Sequence, residues 1–196
     1  MELRRICVFC GSNPGTDPAY VEAADATGRL LAQRGLGVVY GGGSVGLMGR
    51  LADATMAAGG EVIGVIPDFL DRVEIANRHI TSLEVTGSMH ERKARMADLS
   101  DAFLALPGGI GTFEEVFETM TWTQLGVHDK PVGLVDVAGF WSPAAALLDR
   151  AVADGFLSPE VRASVVVAPT AEAVLAGFAS WSRPALGKWT EREVEL

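Results

Sequence analysis

The sequence has few basic residues, few cysteines and few histidines, and each shortage argues against a class of function. Its 16 lysines and arginines are outnumbered by 25 aspartates and glutamates, and the net charge is −9. That balance argues against a nucleic-acid-binding surface. Two cysteines and three histidines, without a second cysteine pair or a His-x-x-x-His, do not form a zinc site of the usual spacing. We therefore expect neither a nucleic-acid partner nor a zinc ion.

The sequence also lacks a membrane-spanning stretch and a cleavable-signal pattern. No apolar run reaches the roughly 20 residues that cross a bilayer, and residues 1–5 lead directly into a predicted strand. These absences predict a cytoplasmic protein without a membrane partner. The 196 residues, 48% of them hydrophobic, suffice for one domain with a sizeable core.

Cys7 and Cys10 form a C-x-x-C, a spacing found in redox and metal sites. Both lie in an apolar run that predicts a strand, and side chains three positions apart on a strand point to opposite faces. We therefore interpret them as two separate buried thiols.

Apolar strand-like runs alternate with amphipathic segments along the chain, which predicts an α/β fold. The strand-like runs are continuously apolar, as expected for a doubly wound parallel β-sheet with helices on both faces. We assign residues 1–180 to this single domain and residues 181–196 to a C-terminal tail, with Trp189 as its candidate docking residue. The predicted strands are residues 5–10, 37–40, 61–66, 83–85, 102–106, 131–136 and 164–167. Helices are predicted at residues 17–34, 88–99, 112–125, 143–153 and 171–180, and one more follows Gly46 and extends to residue 58.

Glycine-rich turns follow three of the predicted strands, at residues 11–15, 41–46 and 108–111. Ligands of open parallel sheets bind beyond the carboxyl ends of the strands, so we expect one cleft built from three loops. The third turn opens a helix, whose free N–H groups and dipole favour an anion such as phosphate. Glu114 and Glu115 follow at once, and a carboxylate beside a phosphate site indicates catalysis more than binding.

Residues 41–46 also match two other motifs. Gly41-x-Gly43-x-x-Gly46 fits the dinucleotide fingerprint, but it follows the second strand, and the next strand ends in Ile66-Pro67 with Asp68 as the acidic candidate. The same residues fit G-x-S-x-G, which would make Ser44 the nucleophile of an esterase. We keep both as weaker alternatives. A P-loop sequence is absent.

A second cationic motif, Met89-His90-Glu91-Arg92-Lys93, begins a predicted helix capped by Ser88. Charge alone is compatible with a solvated helix face. Alternatively, Arg92 faces the cleft with Lys93 beside it, because a planar guanidinium suits a phosphate or a carboxylate partner.

Residues 89–93 and 107–115 together resemble the signature of the LOG ("Lonely Guy") family, the cytokinin riboside 5′-monophosphate phosphoribohydrolases, often labelled "possible lysine decarboxylase". The resemblance extends over residues 5–178. It implies a Rossmann-like fold, at least a homodimer, and no metal or organic cofactor. It implies hydrolysis of the N-glycosidic bond of an N6-modified adenosine 5′-monophosphate, or of AMP, to free base and ribose 5-phosphate.

The resemblance also implies roles for individual residues. Arg92 and Glu115 match the catalytic pair, and Glu74 matches a residue near the base. The remaining expected substrate contacts, chiefly to the phosphate, are Ser12, Gly42, Gly43, Met89, Lys93, Gly108, Gly109, Gly111 and Thr112.

The chemistry of such a bond agrees with these assignments. Breaking a ribosyl–nitrogen bond builds positive charge on the sugar, which a carboxylate can stabilise while it orients the attacking water. An alternative of a different class is a non-catalytic nucleotide-binding or carrier protein on the same scaffold.

Overall fold

A computed structural model describes residues 2–71 and 76–184. The strands are β1 (Arg5–Phe9), β2 (Gly37–Tyr40), β3 (Val62–Pro67), β4 (Ser82–Thr86), β5 (Ala102–Ala105), β6 (Val132–Val135) and β7 (Val165–Ala168). The helices are α1 (Pro18–Gln33), α2 (Gly46–Ala57), α3 (Asp68–Asp71), α4 (Met89–Asp98), α5 (Ile110–Leu125), α6 (Ser142–Ala153), α7 (Pro159–Ala163) and α8 (Ala171–Ala179), with a 3₁₀ turn at Val137–Gly139.

All seven strands are parallel and lie in the order β4-β3-β2-β1-β5-β6-β7. The chain builds outward from β1 to β4, then returns to the other side of β1 with β5. The order therefore reverses between β1 and β5, and a crevice forms at the carboxyl ends of these two strands. The predicted doubly wound fold is confirmed.

The sheet separates two hydrophobic clusters. One contains buried residues of α1, α2 and α8, and the other contains buried residues of α4, α5 and α6. Along β1 and the residue after it the side chains alternate: Cys10 joins the first cluster and Cys7 joins the second. Both thiols are free and buried. The interpretation of two separate buried cysteines is confirmed.

Local sequence explains where the site-bearing helix α4 begins. Ser88 Oγ accepts a hydrogen bond from the Glu91 N–H at 3.2 Å, as expected for an N-cap. The Glu91 carboxylate accepts from the N–H of Gly87 at 2.8 Å, one residue earlier than in the usual capping box. Together these bonds fix the first turn of the helix that carries Arg92.

Three helices differ from the sequence expectations. Helix α5 begins at Ile110, where we expected Thr112, because Gly111 lies in the first turn, where a glycine costs a helix little. The short helices α3 and α7 were not predicted, although Ser158 and Pro159 supply the cap and first residue of α7.

The start of the predicted tail packs on the domain. Trp181 Nε1 donates a hydrogen bond to the Ser164 carbonyl at 2.8 Å, and Arg183 pairs with Asp129 at 2.9 Å. Trp189 lies outside the described residues. Within residues 2–71 and 76–184, no helix combines the length and apolar character needed to cross a bilayer.

Candidate active site

The three glycine-rich loops meet at the carboxyl edge of the sheet. The Gly11 N–H donates to the Pro107 carbonyl at 3.0 Å, which joins the loops after β1 and β5. The Gly11 carbonyl accepts from the Leu47 N–H at 3.0 Å, which joins the loop after β1 to the start of α2. The structure thus brings the three loops together at the crevice between β1 and β5.

In the β5–α5 loop, Gly108 is tightly packed, whereas Gly109 and Gly111 border open space. A Cβ atom on Gly108 would overlap the Thr112 side chain and lie 2.9 Å from the Gly11 nitrogen, so residue 108 has no room for a side chain. Apart from the glycines themselves, their chain neighbours and the backbone of α5, no heavy atom of the described residues lies within 4 Å of a Cβ built on Gly109 or Gly111. Glycine at these two positions leaves the start of α5 open to a ligand.

The start of α5 offers hydrogen-bond donors to that space. The first intrahelical bond links the Phe113 N–H to the Gly109 carbonyl at 3.1 Å. The N–H groups of residues 110–112 precede it, as at any helix start. An anion placed there also meets the positive end of the helix dipole. Thr112, with only 4% of its surface exposed, packs its side chain against Gly108 in the same turn.

Arg92 and Glu115 form a buried ion pair between α4 and α5. Nη1 of Arg92 lies 3.2 Å from Oε1 of Glu115, and each residue is only 8% exposed. Nε of Arg92 donates to the Val65 carbonyl at 3.1 Å, which fixes the guanidinium over the end of β3. The two predicted catalytic residues are therefore in direct contact.

Burial determines the protonation of Glu115. It raises the pKa of the carboxyl group from 4.5 to about 7, and the Arg92 charge opposes this rise without cancelling it. A carboxyl group with a pKa near neutrality inside a cleft is typical of catalytic sites.

Lys93 lies beside this pair and contacts two other carboxylates. Its Nζ lies 2.5 Å from Glu114 and 2.8 Å from Glu118, and its side chain is 9% exposed. Burial lowers the Lys93 pKa, but hydrogen bonds to Glu114 and Glu118 outweigh this and raise it, so the ammonium stays protonated. Sequence reasoning missed Glu118, although its i,i+4 spacing from Glu114 is one at which two side chains can share a cation.

The other predicted contacts line the same edge. Gly42, with φ of +79°, accepts at its carbonyl from the Asn77 N–H at 2.8 Å. Gly43 pairs with Ala76 in an isolated bridge. The Ser12 backbone packs against Gly46, where a Cβ would collide with it.

Met89 and Glu74 complete the predicted set. The Met89 sulfur lies 3.9 Å from Nη1 of Arg92. Glu74 lies outside the described residues.

The geometry disfavours the two alternative motifs in residues 41–46. The fingerprint glycines follow β2, whereas the order of the sheet reverses between β1 and β5. For an esterase, one of His79, His90 and His128 would have to approach Ser44, and the structure places His128 elsewhere. Its ring packs on Phe103 and Trp122, near the amino ends of the strands, whereas Ser44 follows the carboxyl end of β2.

Known proteins share both the sequence and the fold. The sequence model of the family described as "Possible lysine decarboxylase" matches residues 48–178 of this chain. The cytokinin riboside 5′-monophosphate phosphoribohydrolase LOG1 of Arabidopsis thaliana is 48% identical over 171 residues, which are 87% of this chain and 80% of that protein. The rice enzyme LOG (Oryza sativa subsp. japonica) is 48% identical over 169 residues, 86% of this chain and 70% of that protein. The chain belongs to the LOG family.

The LOG fold extends to more distant solved structures. The molybdenum cofactor carrier protein of Chlamydomonas reinhardtii superposes with a TM-score of 0.67 at 24% identity, covering 90% of this chain and 96% of that one. The molybdenum cofactor binding protein of Rippkaea orientalis gives 0.68 at 23% identity, covering 92% and 98%. At these identities the likeness concerns the fold alone.

The decarboxylase description of the LOG family has no counterpart in the cleft chemistry. A Schiff-base lysine must present a neutral amine to its cofactor. Lys93 is instead held as an ammonium ion between Glu114 and Glu118.

Proposed function

We propose that this LOG-family chain hydrolyses the N-glycosidic bond of adenosine 5′-monophosphates, N6-modified ones and AMP included. The products are the free base, an active cytokinin or adenine, and ribose 5-phosphate. The observation that carries the proposal is the buried Arg92–Glu115 pair next to an open helix N-terminus. Relatives 48% identical and named cytokinin riboside 5′-monophosphate phosphoribohydrolase support it.

The 5′-phosphate binds at the start of α5 in this proposal. Gly109 and Gly111 allow it to approach the backbone donors, and Thr112 lies at the same turn. Glu115 lies three residues further along the helix, about 5 Å at 1.5 Å per residue. A ribose attached to the phosphate extends over this distance, which places its C1′ beside the carboxylate.

The reaction then proceeds by charge stabilisation and positioning. As the C1′–N bond breaks, its electron pair leaves with the base, which takes up a proton, and positive charge develops on the ribose. The Glu115 carboxylate stabilises this charge and orients the water, whose oxygen bonds to C1′ and whose released proton balances the one that the base takes up. Arg92 holds the carboxylate in place, and the bound phosphate fixes the sugar against it.

A homodimer is part of the same proposal. Ile110, Phe117 and Leu125 lie on one face of α5 and are exposed by 83%, 36% and 60%, and Val127, two residues beyond the end of the helix, is exposed by 66%. An exposed apolar face of this kind suits contact with a second copy. Leu125→Glu should convert the dimer to a monomer in light scattering, and an unchanged mass would contradict the assignment.

Product chromatography tests the activity. The protein is mixed with AMP and with isopentenyladenosine monophosphate, and free base is quantified. We expect Glu115→Gln to lose at least about 100-fold in turnover, since it removes the charge while keeping the shape. Nucleotide binding measured by calorimetry should persist.

A second Arg–Glu pair provides the control. Arg95 contacts Glu84 at 2.6 Å on the exposed side of α4, so Glu84→Gln breaks a similar pair away from the cleft and should leave turnover unchanged. Base release at a normal rate by Glu115→Gln would reject the mechanism. Nucleotide binding without base release by the wild type would favour the carrier alternative.

A further inference from the structure

We propose that Gly41 is a positioning residue for Arg92, because the missing side chain at position 41 provides the space that the guanidinium occupies. A Cβ atom on Gly41 would lie 2.3 Å from Nη2 of Arg92. This inference rests on the proposed function, since it concerns the same catalytic pair.

The guanidinium has little freedom to avoid such a contact. Arg92 is 8% exposed, and its Nε and Nη1 are held by the Val65 carbonyl at 3.1 Å and Glu115 at 3.2 Å. The Met48 sulfur, 3.3 Å from the same Cβ position, lies on another side of the space. Carbon contacts are comfortable at 3.5–4.0 Å, so a methyl group at position 41 moves the guanidinium by about 1 Å.

Backbone conformation does not explain the glycine. Gly42, the next residue, has φ of +79°, which disfavours any side chain there. Gly41 lies outside the left-handed region, so its backbone accepts alanine without strain. The requirement for glycine at position 41 therefore comes from the Arg92 side chain.

A displacement of this size affects the reaction more than substrate binding. Misplacing a catalytic group by 1 Å can cost about 100-fold in rate. The phosphate site at α5 does not involve residue 41, so the nucleotide should bind nearly as well. We expect Gly41→Ala to lower kcat about 100-fold and to change KM less than about threefold.

A double-mutant cycle with Arg92→Ala tests whether Gly41 acts through Arg92. With the guanidinium removed, the methyl group meets only the flexible Met48 side chain, 3.3 Å away, so the double variant should have the kcat of Arg92→Ala alone. If Gly41→Ala reduces kcat further in the Arg92→Ala background, the inference is overturned. A Gly41→Ala protein with wild-type kcat overturns it as well.

An activity-independent measurement separates this inference from the proposed function. ¹³C NMR titration of the Glu115 carboxyl group should show a higher pKa in Gly41→Ala than in the wild type, because Arg92 has moved away. An unchanged titration overturns the inference even if the enzyme proves inactive on the nucleotides tested. A wild type that releases no base counts against the proposed function alone.

Thermal unfolding of all four proteins in the cycle serves as the control for correct folding. If Gly41→Ala does not fold, the double variant decides. A folded double variant supports the inference that a side chain at position 41 and the Arg92 guanidinium compete for the same space, because removing the guanidinium relieves the overlap. An unfolded double variant shows that residue 41 serves the fold and overturns the inference.

Discussion

We predict that the rate of base release falls about tenfold for each pH unit below about 7. Burial raises the pKa of Glu115 to about 7, with Arg92 opposing the rise. The proposed reaction needs the ionised carboxylate, because it stabilises positive charge on the ribose. At about pH 6, one unit below the pKa, roughly one molecule in ten carries that charge.

Single-turnover kinetics measure this dependence without interference from product release. Excess protein is mixed with isopentenyladenosine monophosphate between about pH 5.5 and 8.5, and free base is quantified with time. The protein concentration is kept well above the dissociation constant of the nucleotide at every pH, so that the rate constant reports only the bound complex. This is necessary because the second pKa of a phosphate monoester is near 6, and nucleotide binding would otherwise change with pH over the same range.

Two variants test whether the pH dependence of the rate comes from Glu115. Arg92→Ala removes the charge that lowers the Glu115 pKa, so any remaining activity should decline from a higher pH. Arg95→Ala, on the outer side of the same helix, should leave the profile unchanged. A rate constant independent of pH over this range would refute the reasoning. A rate that rises on acidification would give Glu115 the role of a proton donor instead.

Two further predictions concern stability and binding. Because the folded protein raises the Glu115 pKa from 4.5 to about 7, it holds this proton more tightly than the unfolded chain does. The free energy of unfolding should therefore fall by up to about 3 kcal/mol as the pH rises from 4.5 to about 7. Urea titrations should show this fall in the wild type and its absence in Glu115→Gln. Gly108→Ala should lower Tm because its methyl group overlaps Thr112, whereas Gly109→Ala should keep Tm and weaken AMP binding. Calorimetry and thermal unfolding distinguish the two alanine variants, and equal losses of Tm would contradict the difference in packing.

The sequence was sufficient for the strands, most helices and the loops that form the cleft. Continuous apolar runs predict buried parallel strands, and glycine-rich turns mark their carboxyl ends. Helix α7 was missed because five residues are too short for a helical period, although Ser158 and Pro159 indicate its start.

The contacts inside the site depend on tertiary structure. Arg92 was a candidate from its motif, but its bond to the Val65 carbonyl requires the placement of α4 over β3, 27 residues away in sequence. The pairing of Lys93 with Glu114 and Glu118 depends in the same way on how α4 packs beside α5. The close approach of the Arg92 guanidinium to position 41 could not be predicted from the sequence, because glycine has no side chain that would indicate a function.

The placement of the two thiols has a practical consequence for measuring conformational opening. Cys7 lies beneath the helical layer formed by α4, α5 and α6, and Cys10 lies beneath the opposite layer. At 0% and 7% exposure, neither reacts with an alkylating reagent until the structure over it opens. Mass spectrometry that follows the two alkylation rates therefore reports the detachment of each layer separately, without any introduced label.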